Sequence, residues 1–143
     1  MTARIMITIC ILLYAAGVPF LEINATHVFN MEWHSHARLH NVWQLITNSM
    51  VGIFCLWLVW ARNEVRLPAL ISALVTGGFI IAYLLCGFYE GSMERTDGSE
   101  VTLFGAINFG VVGFGFGLLL LAAAFLLDAW SRSKGEARQG QYS

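Results

Sequence analysis

Apolar residues run uncharged for a bilayer's depth at four places in the chain, and nearly all charge falls between or outside those runs. The runs are about Ile5 to Leu21, Val42 to Ala61, Leu67 to Tyr89 and Phe104 to Leu127, each near the ~20 residues a helix needs to cross hydrocarbon. The pattern predicts an all-α, polytopic membrane protein: a four-transmembrane-helix bundle over residues 1–130 and a polar, frayed tail over 131–143. Arg4 ahead of the first run, with Ala15, Ala16 and Gly17 near its end, resembles a signal peptide, but the expectation is a retained anchor helix. Pro19 predicts a kink near that helix's end, because it removes one backbone hydrogen bond. The short link RNEVRLP predicts an antiparallel hairpin of the second and third helices, and GSMERTDGSE reads as a solvated loop.

Charge adds an orientation. Arg4, Arg62, Arg66, Arg132, Lys134 and Arg138 fall on the side that holds both termini, against Arg38 and Arg95 on the other. Basic residues in short loops stay inside, so both termini are expected in the cytoplasm and the first and third loops on the periplasmic side of a bacterial inner membrane. The outer loops carry Glu22, Glu32, Glu90, Glu94, Asp97 and Glu100, which the net charge of -1 conceals. With 57% hydrophobic residues, 12% charged residues and no basic stripe, the chain has no nucleic-acid partner to expect; its partner is the lipid bilayer. Cys10, Cys55 and Cys86 lack CxxC spacing and read as packing thiols. In the fourth run Gly113 and Gly117 stand in GxxxG register, which allows close helix packing within the bundle or between copies, as in a homo-oligomer or larger membrane complex.

All four histidines lie in HVFNMEWHSHARLH, between His27 and His40. At 100° per residue His36, His40, Gln44 and Thr47 share an arc of about 80°, with Asn48 and then Asn41 beyond it. Asn48 would lie about 10 Å inside a bilayer that begins near Asn41. Polar side chains at that depth are expected to face protein or a chamber, where Glu22, Tyr83 and Asn108 stand at matching depth on other helices. Amides and hydroxyls can equally serve as glue between helices. The i, i+4 spacing of His36 and His40 could also present two imidazoles to one zinc or copper ion, completed by His34 or His27 with Glu22 or Glu32.

The stretch NATHVFNMEWHSHARLHNVWQ resembles the signature of a family of small, functionally uncharacterised four-helix membrane proteins, N-x-T-H-[LV]-F-N, a tryptophan, then H-A-R-[FL]-H. The matching positions are Asn24, Thr26, His27, Phe29, Asn30, Trp33, His36, Ala37, Arg38 and His40, while His34 and Ser35 stand where the signature has prolines. The resemblance covers about twenty residues and the helix count; it marks His27, His36, Arg38 and His40 as a working set and implies no particular reaction. In architecture alone the chain also resembles the emopamil-binding and sterol-isomerase group, which implies proton shifts on a lipophilic substrate without a shared motif.

The leading expectation is a membrane-embedded enzyme in which His27, His40, Glu22 and His36 carry out acid/base isomerisation, cyclisation or hydrolysis of a lipophilic small molecule. Asn24, Asn30, Arg38, Gln44, Asn48, Trp33, Tyr83 and Asn108 would bind that substrate. Two alternatives stand beside it: a periplasmic-side zinc or copper site on His36, His40, His27 and His34, and a non-enzymatic subunit of a larger membrane complex.

Overall fold

The computed structural model describes residues 1–95, 98–103 and 105–139, with side chains described as far as Lys134 in the last helix. Asp97 of the acidic loops, Phe104 at the expected start of the fourth helix, the side chain of Arg138 and the end of the tail, 140–143, lie outside the described residues. Helix α1 (Thr2–Leu12) passes through one π-helical turn (Leu13–Gly17) into α2 (Val18–Glu22). Then come α3 (Ser35–Trp60), α4 (Arg66–Leu84), a 3₁₀ turn (Cys86–Phe88), the short strands β1 (Thr102–Leu103) and β2 (Ile107–Asn108), and α5 (Phe109–Gln139). Among the described residues four stretches are long and apolar enough to cross a membrane: Thr2–Glu22, Ser35–Trp60, Arg66–Leu84 and Phe109–Lys134. Ile53, Leu74, Leu119 and Leu126 stand exposed around them, a surface consistent with an integral membrane protein.

Cross-contacts fix the helix directions. Trp60 Nε1 donates to Thr8 Oγ1, Ser49 Oγ to the Ala15 carbonyl and Asn41 Nδ2 to Glu22 Oε2, so α3 runs antiparallel to the first helix. Arg66 on Asp128 and Phe79 stacked on Phe114 set α4 antiparallel to α5. One end of the bundle therefore holds Met1, the Ala61–Val65 link and Asp128; the other holds Glu22, the His27 loop and the start of α5. At the first end Asp128 accepts from both Arg66 and Arg132, which ties α4 to α5.

The first helix is the centre of the bundle. Ile7, Cys10, Ile11 and Tyr14 are fully buried, and α1 packs against α3, α4 and α5. Pro19 has no N–H for the carbonyl of Ala15 four residues back. The chain answers in two ways: the preceding turn widens, with Val18 N donating to the Leu13 carbonyl, and Ser49 Oγ donates to the Ala15 carbonyl at 2.8 Å. A freed backbone acceptor in an apolar span is thus satisfied by the neighbouring helix. That approach is close because position 52 carries no side chain; a Cβ there would collide with the Ala15 Cβ. The GxxxG register of α5 is filled within the chain, where Gly113 faces Leu13 and Gly117 faces Cys10 and Leu13.

Several boundaries differ from the sequence expectation. Helix α4 ends at Leu84, five residues before Tyr89, and gives way to the 3₁₀ turn. Helix α3 begins at Ser35, seven residues before the apolar run, because His34 caps it with Nδ1 accepting from His36 N. Helix α5 begins at Phe109, since β1 and β2 pair antiparallel before it, Thr102 opposite Asn108 and Leu103 opposite Ile107, and Gly105 between them takes φ +70°. Its far end continues as helix to Gln139, through most of the stretch expected to fray.

Substitution of Gly52 separates this packing from helix propensity. Gly52→Val is expected to lower stability by about 1–3 kcal/mol through overpacking against Ala15 and Ile11, whereas Gly115→Ala, with open space at its position, should leave it unchanged or raise it by up to about 1 kcal/mol. Thermal unfolding in detergent, followed by circular dichroism, measures both.

Candidate functional site

Helix α2 ends at Glu22, where Ile23 leaves helical geometry, and the chain turns at once on Asn24. The Asn24 side chain closes an Asx turn: its Oδ1 accepts from Thr26 N at 2.8 Å and from Thr26 Oγ1 at 2.7 Å, and its Nδ2 donates to the Leu21 carbonyl. A backbone N–H can only donate, so the Asn24 amide orientation is fixed. The Thr26 hydroxyl then spends its one hydrogen on Asn24 and is left as an acceptor toward His27 Nδ1, 2.9 Å away. The proton therefore sits on Nδ1.

That leaves His27 Nε2 facing Glu22 Oε2 at 3.5 Å. The contact is an ion pair whenever the ring carries a second proton. Both groups are sheltered without being sealed, at 21% and 26% exposure. Trp33 packs its ring edge against His27, and buried Asn30 pins the loop by donating to the Thr26 carbonyl and accepting from Glu32 N. Asn41 on α3 donates to the same Glu22 oxygen at 3.5 Å, while its own Oδ1 is buried with no partner among the described residues.

The other histidines do not join this pair. His34 caps α3. His36 and His40 stand exposed on one helix face with their Nε2 atoms 3.0 Å apart, one ring donating to the other, and His40 leans on Trp43. Among the described residues no group of three or more His, Cys, Asp or Glu side chains gathers as a metal site, so the expected set of His36, His40, His27 and His34 is not assembled within the chain. Arg38 directs its guanidinium to Met31 Sδ at 3.1 Å instead of toward the pair. Tyr83 and Asn108 lie elsewhere as well. Tyr83 borders a small cleft with Phe79, Cys86, Tyr89 and Met93. Asn108 is the N-cap of α5, accepting from Gly110 N at 2.8 Å and Val111 N at 3.3 Å while donating to Glu100.

What does continue from Glu22 is the flank of α3. Ala37, His40, Asn41, Trp43, Gln44, Thr47 and Asn48 line an open groove of about 580 Å³. On a helical projection Thr47, His40 and Gln44 occupy the sector that Leu58 and Cys55 occupy nearer the other end. Leu58 and Cys55 are buried; Thr47, His40 and Gln44 are exposed. The cover over this sector is therefore lost toward the His27 end, and the side chains of Gln44, Thr47 and Asn48 make no hydrogen bond among the described residues.

No family model matches the chain, and no curated protein or solved structure does so either. The residues of the candidate site stand on their geometry alone. Two of them, Thr26 and Asn41, lie outside the expected site set. The Asn-x-Thr spacing is the signal for the first, since it builds the turn that orients His27; for Asn41 the signal is an amide placed just off the polar face at the depth of Glu22.

The orienting role of Thr26 is open to direct measurement. Nitrogen NMR of ¹⁵N-histidine-labelled protein in micelles should find the His27 proton on Nδ1, and Thr26→Val should release that preference while leaving the His36 and His40 signals in place.

Proposed function

We propose that the chain is an integral membrane enzyme that moves protons on a lipophilic small molecule, with His27 and Glu22 as the acid/base pair. The carrying observation is the Glu22–His27–Thr26–Asn24 chain of contacts, in which Nδ1 is held by a hydroxyl and Nε2 faces a carboxylate. The distribution of arginine and lysine supports a bacterial inner membrane with both termini cytoplasmic, an orientation in which this pair would lie at the periplasmic boundary. His27 would deliver the Nε2 proton to one substrate atom and Glu22 would accept one from a neighbouring atom, so that the pair ends with the same proton count. Isomerisation needs nothing more, and cyclisation or hydrolysis begins with the same delivery. Asn24 and Thr26 act as positioning residues, and Asn41 links the pair to the groove. Phe29, Trp33 and Trp43 supply the aromatic surroundings of a boundary site.

Solvent isotope reports the reaction whatever the identity of the substrate. Membranes containing the protein are incubated in D₂O and, separately, in H₂¹⁸O, and their lipids are profiled by mass spectrometry. Wild type is expected to label at least one lipophilic species, with deuterium for isomerisation or cyclisation and with ¹⁸O for hydrolysis. Glu22→Gln and His27→Asn should lower that labelling by about 10²-fold or more, while His36→Ala should keep it within about threefold, since His36 does not touch the pair. Identical lipid profiles from wild type and Glu22→Gln would remove the enzyme reading.

A further inference from the structure

The groove on α3 has a chemical character of its own. Its polar lining is His40, Asn41, Gln44, Thr47 and Asn48, with Ala37 and Trp43 completing it, and it includes no lysine, arginine, aspartate or glutamate. The nearest cation along the helix, Arg38, is engaged with Met31. Phosphate and carboxylate heads are held by arginine, lysine or clustered backbone N–H groups, and this flank lies on helix interior, where backbone donors are already used within the helix. Amides, hydroxyls and a neutral imidazole instead offer donors and acceptors together, which suits a hydroxyl, carbonyl or amide.

The position of these groups sharpens the point. Gln44, Thr47 and Asn48 lie about 4–10 Å further along the helix than Asn41, within a stretch apolar enough to span a membrane, and none has a hydrogen-bond partner among the described residues. Facing hydrocarbon alone they would forfeit the bonds they make in water. All seven lining residues belong to α3, so the groove is an open flank of one helix that a ligand would reach from the side. The groove also touches the pair, because Asn41 lines it and donates to Glu22.

We infer that this groove binds a lipid with an uncharged, hydrogen-bonding head, such as an alcohol, a carbonyl compound or an amide, and excludes phosphate- and carboxylate-headed lipids. The head lies along Gln44, Thr47 and Asn48, and the tail leaves sideways among Trp43 and the exposed apolar residues of α3, Ile46 and Met50. This assignment rests on the reading of the groove as the approach to His27 and Glu22, yet binding is measured without turnover.

The test uses the full chain in lipid nanodiscs and a set of photoreactive probes with one diazirine alkyl chain and five heads: hydroxyl, amide, carboxylate, phosphate and methyl. Labelled peptides are mapped by mass spectrometry. The hydroxyl and amide probes should label residues 37–48 about tenfold above the methyl-headed probe, the gain expected of one or two hydrogen bonds, with the carboxylate and phosphate probes no better than methyl. Gln44→Leu combined with Thr47→Val, both apolar exchanges on an exposed face, should remove the advantage of the polar heads. Probe labelling needs no turnover, so a wild-type protein that binds selectively but shows no isotope labelling would sink the enzyme reading alone. Labelling independent of the head, or strongest with phosphate or carboxylate, overturns the inference. So does a groove that no probe labels while Thr47→Cys forms disulfides between two copies of the chain, since that outcome assigns the polar flank to self-association.

Discussion

An apolar span offers a polar group no water, so each donor and acceptor there must find a partner in protein or ligand. In this bundle the rule is met around the first helix. The Ala15 carbonyl freed by Pro19 is taken by Ser49, Tyr14 meets Ser72 at 3.4 Å, Thr76 donates to the Ser72 carbonyl, and Trp60 donates to Thr8. The same constraint sets the tolerances of packing. Gly52 brings α3 close enough to the Ala15 level for Ser49 to reach across, so a residue without a side chain and a serine hydroxyl three positions away serve one purpose. Against that background the free side chains of Gln44, Thr47 and Asn48 are the exception, and the exception is local to one flank beside Glu22.

The four helices are legible because hydropathy over about twenty residues carries a strong signal and the alternatives to a helix in lipid are few. Their ends are less so. The start of α3 lies among polar residues that hydropathy assigns to a loop, and it is set by a cap at His34 that a composition window does not register. The start of α5 depends on a turn at Gly105 and on Asn108 as N-cap, so an amide expected inside a helix at the depth of the histidines instead begins that helix. Depth can be counted from sequence; direction around the bundle cannot. Tyr83 and Asn108 stand at a depth near the pair and still belong to other contacts.

Periodicity on α3 identifies one face correctly and its inward direction incorrectly. The spacing of His36, His40, Gln44 and Thr47 says which side chains travel together, whereas what covers them is decided by the neighbouring helices. The clustering of the histidines is a similar case. Four imidazoles in fourteen residues suggest convergence, but the chain divides them: one caps a helix, two pair with each other on the exposed face, and one is held against a carboxylate. The local turn explains why the last is different. Asn24, Thr26 and His27 are close in sequence, so their hydrogen bonds form within the loop itself and need only Glu22, at the end of α2, to be completed.

A boundary position suits the proposed chemistry better than a buried one would. Protons must be exchanged with water, and a pair at about one quarter exposure can do so through the His27 loop, while under the proposal a lipophilic substrate would reach the same side chain from the side through the uncovered flank of α3. Asn41 stands where the two routes meet, with its Nδ2 toward Glu22 and its side chain bordering the groove. Its buried Oδ1 has no partner among the described residues. Turning the amide over to satisfy that oxygen would set its carbonyl oxygen against Glu22 Oε2, so the same oxygen that faces His27 also fixes the orientation of Asn41. The site's polarity thus propagates from one carboxylate: Glu22 orders Asn41 on one side and His27 on the other, and the flank beyond Asn41 contributes only uncharged groups.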